Sequence, residues 1–199
     1  DALGSHAVYL AQGSANAIYR QNDSVGNYLA NLSTHDLPHT NLLAESNRAD
    51  SDAMLLHGLR DATVQNNSFK GSASGASRIY LGGGNQRVVV KGNVFQSLRS
   101  EAIRAADDGL GYGANDTLTL TQNSVTTPVT LLAATAAMID LRGVAGTTSV
   151  TQNSVTIQPS LLSPGASAVY GIAAGGAVVS GAPQYLGQLT VAGNVLSGG

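Results

Sequence analysis

The 199-residue sequence predicts an all-β solenoid, a rod of short strands stacked coil upon coil. The first sign is a recurring pattern: an apolar residue, two small or polar residues, Asn, one further residue, then another apolar residue. It reads Val64-Gln65-Asn66-Asn67-Ser68-Phe69, Val90-Lys91-Gly92-Asn93-Val94-Phe95, Leu120-Thr121-Gln122-Asn123-Ser124-Val125, Val150-Thr151-Gln152-Asn153-Ser154-Val155 and Val191-Ala192-Gly193-Asn194-Val195-Leu196. The second is alternation: five residues before each Asn stand Ala62, Val88, Leu118, Thr148 and Leu189, which share a strand face with the residue three before it. The third is a separate apolar run ahead of each Asn. Three short strands per coil are the makeup of a right-handed parallel β-helix, with about six to seven coils.

In chain order, Val8-Tyr9-Leu10 leads to Asn22 as a coil with a shifted corner, and residues 26–52 form an irregular coil or an insertion. Met54-Leu55-Leu56, Ile79-Tyr80-Leu81, Ala102-Ile103-Arg104, Met138-Ile139-Asp140-Leu141 and Val169-Tyr170-Gly171-Ile172 then open the five coils that carry the repeat, for six clear coils and a possible seventh in all. Each Asn is expected to turn a one-residue corner, because Asn tolerates the left-handed backbone region better than other residues with a Cβ. Stacked coils lie about 4.8 Å apart, so Asn67, Asn93, Asn123, Asn153 and Asn194 should form an amide ladder along the rod. The Asn-to-Asn intervals of 26, 30, 30 and 41 residues require outward bulges, expected at 107–115, 158–165 and 174–184, where Gly, Pro or Asn concentrate.

By length the chain is one domain, 1–199. Only 11% of residues are charged and the net charge is −2, with two lysines, so a nucleic-acid partner is not expected. With no cysteine there is neither a disulfide framework nor a thiolate metal site. No apolar run approaches the roughly 20 residues that span a bilayer as a helix. The sequence begins without Met, and only five residues follow Asn194, whereas 10 to 16 separate earlier Asn corners from the next strand. A longer parent chain is therefore expected, and the open last coil should be covered by further coils, an anchoring domain or another copy, the last being end-to-end self-association.

Aligning the inward residues of the upstream strands puts Tyr80, Arg104 and Asp140 in one outward column, with Arg142 on the next. Asp107 and Asp108 follow the strand that carries Arg104. Three carboxylates and two arginines on one wall are a candidate site, and an Arg104–Asp140 cross-strand pair is its plainer explanation. A second candidate is His35-Asp36-Leu37-Pro38-His39. Pro38 argues against a helical metal pair, so these histidines are expected on an insertion, with His57 closing a strand; no metal is assigned.

Across residues 53–199, and loosely over 1–52, the repeat resembles the β-helix superfamily of pectate lyases, polygalacturonases, phage tailspikes and autotransporter passengers. The chain looks most like a bacterial secreted or autotransporter passenger segment. That resemblance implies location outside the cell or on its surface, and two functions. One is a structural or adhesive module binding a host or matrix surface ligand or a polysaccharide. The alternative is a lyase or glycoside hydrolase on an acidic polysaccharide, with Arg104, Asp107, Asp108 and Asp140 catalytic, Tyr80 and Arg142 binding ligand, and calcium conceivable only there. Scarce charge and few aromatics (two Phe, seven Tyr, no Trp) weigh against an enzyme.

Overall fold

The computed structural model describes residues 6–25, 30–35, 38–71, 78–98, 100–106, 110–127, 137–157, 170–179, 182–184 and 186–198. The described residues form strands and no helix, and three parallel sheets carry the chain in rotation. The first sheet joins His6–Leu10, Ala30–Thr34, Met54–His57, Ile79–Gly83, Ile103–Ala105, Ala137–Leu141 and Tyr170–Ala174. The second joins Ile18–Arg20, Leu43–Glu45, Thr63–Gln65, Gln86–Lys91, Asn115–Thr121, Val144–Thr151 and Leu186–Ala192, with His39–Thr40 and Leu59–Arg60 at its flank. The third joins Asp23–Val25, Arg48–Asp50, Ser68–Lys70, Val94–Gln96, Ser124–Thr127, Ser154–Ile157 and Val195–Ser197. Every circuit of the chain thus lays one strand in each sheet. A parallel β solenoid follows, because each strand's neighbours are its counterparts one circuit away.

Register follows side-chain size and polarity. In the second sheet Tyr19, Ala44, Val64, Val90, Leu120, Val150 and Val191 fall in one inward column. In the third, Phe69 pairs with Phe95, and their rings stack at 5.0 Å between centroids and 8°. In the first, Met54, Ile79, Ile103 and Ile139 are in register and fully buried. A one-residue slip in any pair would turn these columns out to water, so the apolar pattern specifies the stack.

Between the second and third sheets runs a row of buried asparagines. The amide of Asn67 donates to Asn93 Oδ1 (2.9 Å), Asn93 to Asn123 (3.0 Å), Asn123 to Asn153 (2.9 Å) and Asn153 to Asn194 (2.9 Å). The backbone N–H of each donor residue reaches the same oxygen. A second amide hydrogen goes to the carbonyl three residues before the preceding Asn, as from Asn123 to Val90 and from Asn153 to Leu120. The row extends further than the repeat pattern indicates. Asn47 donates to Asn67 and Asn22 to Asn47, so the stretch expected to be irregular carries regular rungs. In Asn22 the corner is unshifted.

One expectation about the corner is corrected. The left-handed residue is not the ladder Asn but the one before it: Gln21, Ser46, Asn66, Gly92, Gln122, Gln152 and Gly193 all have φ between +55° and +64°. The reason is a division of labour. The preceding residue turns the backbone, which leaves the Asn side chain pointing inward, where every polar group needs a partner. A shorter row sits at the corner between the first and second sheets, where Asn85 donates to Asn115 Oδ1 (2.6 Å) and accepts from Leu59 N–H (3.0 Å).

Insertions leave the stack without breaking it. Residues 177–184 carry an antiparallel pair, Ala177–Val179 with Ala182–Gln184, between strands of the first and second sheets. The expected bulge at 158–165 lies outside the described residues. Ion pairs such as Arg20–Glu45, Arg48–Asp23 and Arg87–Asp61 link successive circuits at the surface. Such exposed pairs contribute little each. Arg78 is different: it is fully buried and donates to the carbonyls of Asp52 (3.0 Å) and Gly71. Burial pushes its pKa below the usual guanidinium value, and the nearby Asp52 and Asp50 oppose that.

Replacing Asn123 by Ala should cost about 2–4 kcal/mol in denaturant unfolding, because Asn93 N–H and its amide then lose their acceptor inside the rod. Gln96→Ala, on an exposed strand position, should stay within about 0.5 kcal/mol of the parent.

Candidate functional site

The outer face of the first sheet gathers most of the chemistry in the molecule. Strand alternation buries Ile79, Leu81, Ile103, Ala105, Ile139 and Leu141, so Tyr80, Arg104 and Asp140 fall between them, paired directly across adjacent strands. Arg104 is exposed and Tyr80 half-buried.

Asp140 is buried, and its partner is Arg142 rather than Arg104. Arg142 Nε donates to Oδ1 (2.8 Å) and its terminal nitrogen to Oδ2 (2.7 Å), a bidentate fork from two residues along the same chain. The hydrogen bonds and the charge of Asp140 raise the Arg142 pKa, and Glu101 adds to the same negative field. A carboxylate with both oxygens held in this way is a poor general base, because abstracting a proton means giving up the fork. Asp107 and Asp108 lie outside the described residues.

Beside this column five rings come together, although none adjoins another in sequence. Tyr9 stacks on His35 with centroids 5.6 Å apart, and His35 on His57 at 4.6 Å. Tyr112 lies 5.3 Å from His57 and 6.4 Å from His35, with its hydroxyl 3.5 Å from His35 Nδ1. Tyr80 meets His57 edge-on at 6.0 Å, which joins the ring cluster to the Arg104 column.

Two glycines make this possible. Gly83 pairs with His57 and so occupies the next place along the row of rings. With φ of +135° and +65°, Gly83 and Gly84 hold backbone conformations that favour glycine, and a Cβ on either would lie within 2.8 Å of the carbonyl of Gly113 or Tyr112. Lacking side chains, they let residues 110–114 fold against the sheet edge, fixed by the Gly84 N–H to Gly113 carbonyl bond (2.8 Å). Tyr112 is thereby laid over the place a side chain would have filled.

The histidines play two parts. His39 is fully buried: Nδ1 accepts from Ser14 N–H (3.1 Å), so Nε2 carries the hydrogen and donates to the His35 carbonyl (2.9 Å). It braces a loop and is not paired with His35 for a metal. His57 donates from Nδ1 to the Thr34 carbonyl (3.2 Å), while its backbone exchanges two hydrogen bonds with the Thr34 hydroxyl. Its ring is fixed in one orientation beneath the others. Among the described residues no three His, Cys, Asp or Glu side chains are gathered to hold a metal ion.

Sequence reasoning found the Tyr80–Arg104–Asp140 column and missed the rings. The scarcity of aromatics, weighed against an enzyme, says nothing of their placement: three of the seven tyrosines meet here. The Gly82-Gly83-Gly84 run was the available signal for a close approach at this edge.

No family model, curated protein or solved structure matches this chain.

The fork makes a stability prediction. Arg142→Gln should lower stability by about 1–3 kcal/mol in thermal or denaturant unfolding, since Asp140 is left buried without its cation. The figure sits below that for a fully buried pair because the Arg142 side chain is 57% exposed. Arg104→Gln should change it by less than about 0.5 kcal/mol.

Proposed function

We propose that this chain is a structural and adhesive module of a secreted or surface-exposed bacterial protein. In this reading it is a right-handed parallel β-helix of seven coils, and the outer face of its first sheet docks a carbohydrate on a host or matrix surface. Support comes chiefly from one juxtaposition: Tyr80 pairs across adjacent strands with the exposed Arg104 and, through His57, meets the ring cluster of Tyr9, His35 and Tyr112, while the carboxylate beyond Arg104 is already engaged by Arg142. Tyrosine rings offer flat faces to the C–H side of a pyranose and keep a hydroxyl for hydrogen bonding. An exposed guanidinium suits a carboxylate or sulfate bidentately. All of these groups stand on strands or on a segment pinned to one, so little order has to be gained on binding.

Cleavage of an acidic polysaccharide is the second reading, and it has less support. It requires a base or two carboxyls at a set separation, and the one carboxylate in the described column is tied to Arg142.

A glycan array probed with the labelled protein, followed by calorimetry on the best ligand, tests the proposal. Binding should weaken by about fivefold to tenfold in Tyr80→Ala and Tyr112→Ala, with unchanged thermal unfolding and no release of reducing ends or unsaturated uronate. Absence of binding across neutral and acidic glycans would overturn the adhesive reading. Turnover of any acidic glycan would favour the second.

A further inference from the structure

Three of the four histidines in the chain are linked to one another: His35 and His57 stack in the ring cluster, and His39 Nε2 donates to the His35 carbonyl. Of the three, His39 is the one whose protonation state the backbone dictates. It is fully buried, and its Nδ1 takes a hydrogen from the Ser14 N–H at 3.1 Å. That N–H can only donate, so Nδ1 must keep its lone pair and the ring must be neutral. A second proton would set two donors against each other and leave a charge inside the rod, where it needs a partner. The elements against it offer none. His39–Thr40 pairs with Leu59–Arg60, and the ring bonds Ser14 and His35. Among the described residues, the titratable groups on those elements are His35 and the exposed Arg60, both cationic when charged.

What His39 holds in place is the ring cluster. His35 follows strand Ala30–Thr34 with its N–H on the Leu10 carbonyl (3.0 Å) and its own carbonyl on His39 (2.9 Å). Between these two bonds its ring is set against Tyr9 at 5.6 Å and His57 at 4.6 Å, with Tyr112 edge-on at 6.4 Å. Losing the His39 bond therefore frees the ring that the others share. His39 itself sits on a two-residue strand at the flank of the second sheet, off the path of strands that the asparagine row aligns. A change at that flank opens locally while the row from Asn47 to Asn153 stays closed.

We infer that His39 is a positioning residue for the ring face and makes that face acid-sensitive: its neutral ring holds His35 between Tyr9 and His57, and a proton on Nδ1 releases it. Opening this bond takes up a proton, because an unconstrained histidine accepts its second one near about pH 6.5 while the ring held by Ser14 has no room for it. The cluster is therefore complete above that pH and comes apart as the pH falls below it. The inference rests on the carbohydrate reading only for its consequence, that a ligand held at neutral pH is let go in acid. Loss of the ring stack itself needs no ligand.

Near-ultraviolet dichroism of the unliganded 199-residue chain tests this, since with seven Tyr and no Trp the band reports chiefly tyrosine surroundings. Between about pH 7.5 and about pH 5 the band should lose intensity in one step with its midpoint below about pH 6.5, while the far-ultraviolet signal holds. Nitrogen-15 spectra of the histidine rings should show His39 carrying hydrogen on Nε2 alone before the step and on both nitrogens after it. His35→Phe keeps a flat ring in the stack without a titrating nitrogen, and it should keep the step. His39→Gln puts an uncharged amide in place of the imidazole and should lose it. Where the His39→Gln band already differs at neutral pH, the ring nitrogens of the parent decide. A band constant across that range, a His39 ring that gains its proton while the band holds, a step that disappears in His35→Phe or one that survives in His39→Gln would overturn the proposal.

Discussion

The buried asparagine row is the constraint on which the rest of this structure depends. An amide inside a protein that lacks partners costs stability, so each Asn is held wherever both its neighbours along the rod supply them. One side chain accepts from the preceding circuit and donates to the following one, and it also reaches a carbonyl of the second sheet. Because the Asn stands at the corner, it aligns the second and third sheets together. The spacing between rungs can then vary from 20 to 41 residues without loss of register, since what lies between only has to return to the same place.

That tolerance is what leaves the first sheet's margins open to variation. Segments inserted ahead of the second sheet can fold back against the rod, and residues 110–114 do so over Gly83 and Gly84. The result is a flat wall where rings from several circuits and one extended segment meet. Its charged groups divide by burial: Asp140 is withdrawn and neutralised by its fork, while Arg104 is presented to solvent.

Much of the fold was legible because the solenoid writes its period into the sequence. The five rungs from Asn67 to Asn194 stand between large inward residues such as Val64 and Phe69, and the apolar signal marks them. Asn47 escaped because its inward flanks are Ala44 and Ala49, too small to read as core, and Asn22 was read as a shifted corner because Ser24 sits where an apolar residue was sought. Those substitutions are possible because local packing supplies other partners, as when Ser24 hydrogen-bonds the buried Asp52. The left-handed corner was assigned to the wrong neighbour because Asn suits both a turn and a ladder, and only the backbone distinguishes them. The wall column was readable from strand parity, but parity says nothing of competition, and Arg142 took Asp140 at close range. The ring cluster was beyond reach of any local pattern, with His35 and Tyr112 separated by 77 residues and joined through glycines that have no side chain to announce them.

The most direct test of the row's role is hydrogen exchange of side-chain amides by NMR. If the row holds the rod together, the amide hydrogens of Asn67, Asn93 and Asn123 exchange only as fast as the backbone amides of the strands beside them, whereas those of the exposed Gln96 and Gln122 exchange at solvent rates. Asparagine amides that exchange freely while the flanking strands remain protected would contradict it.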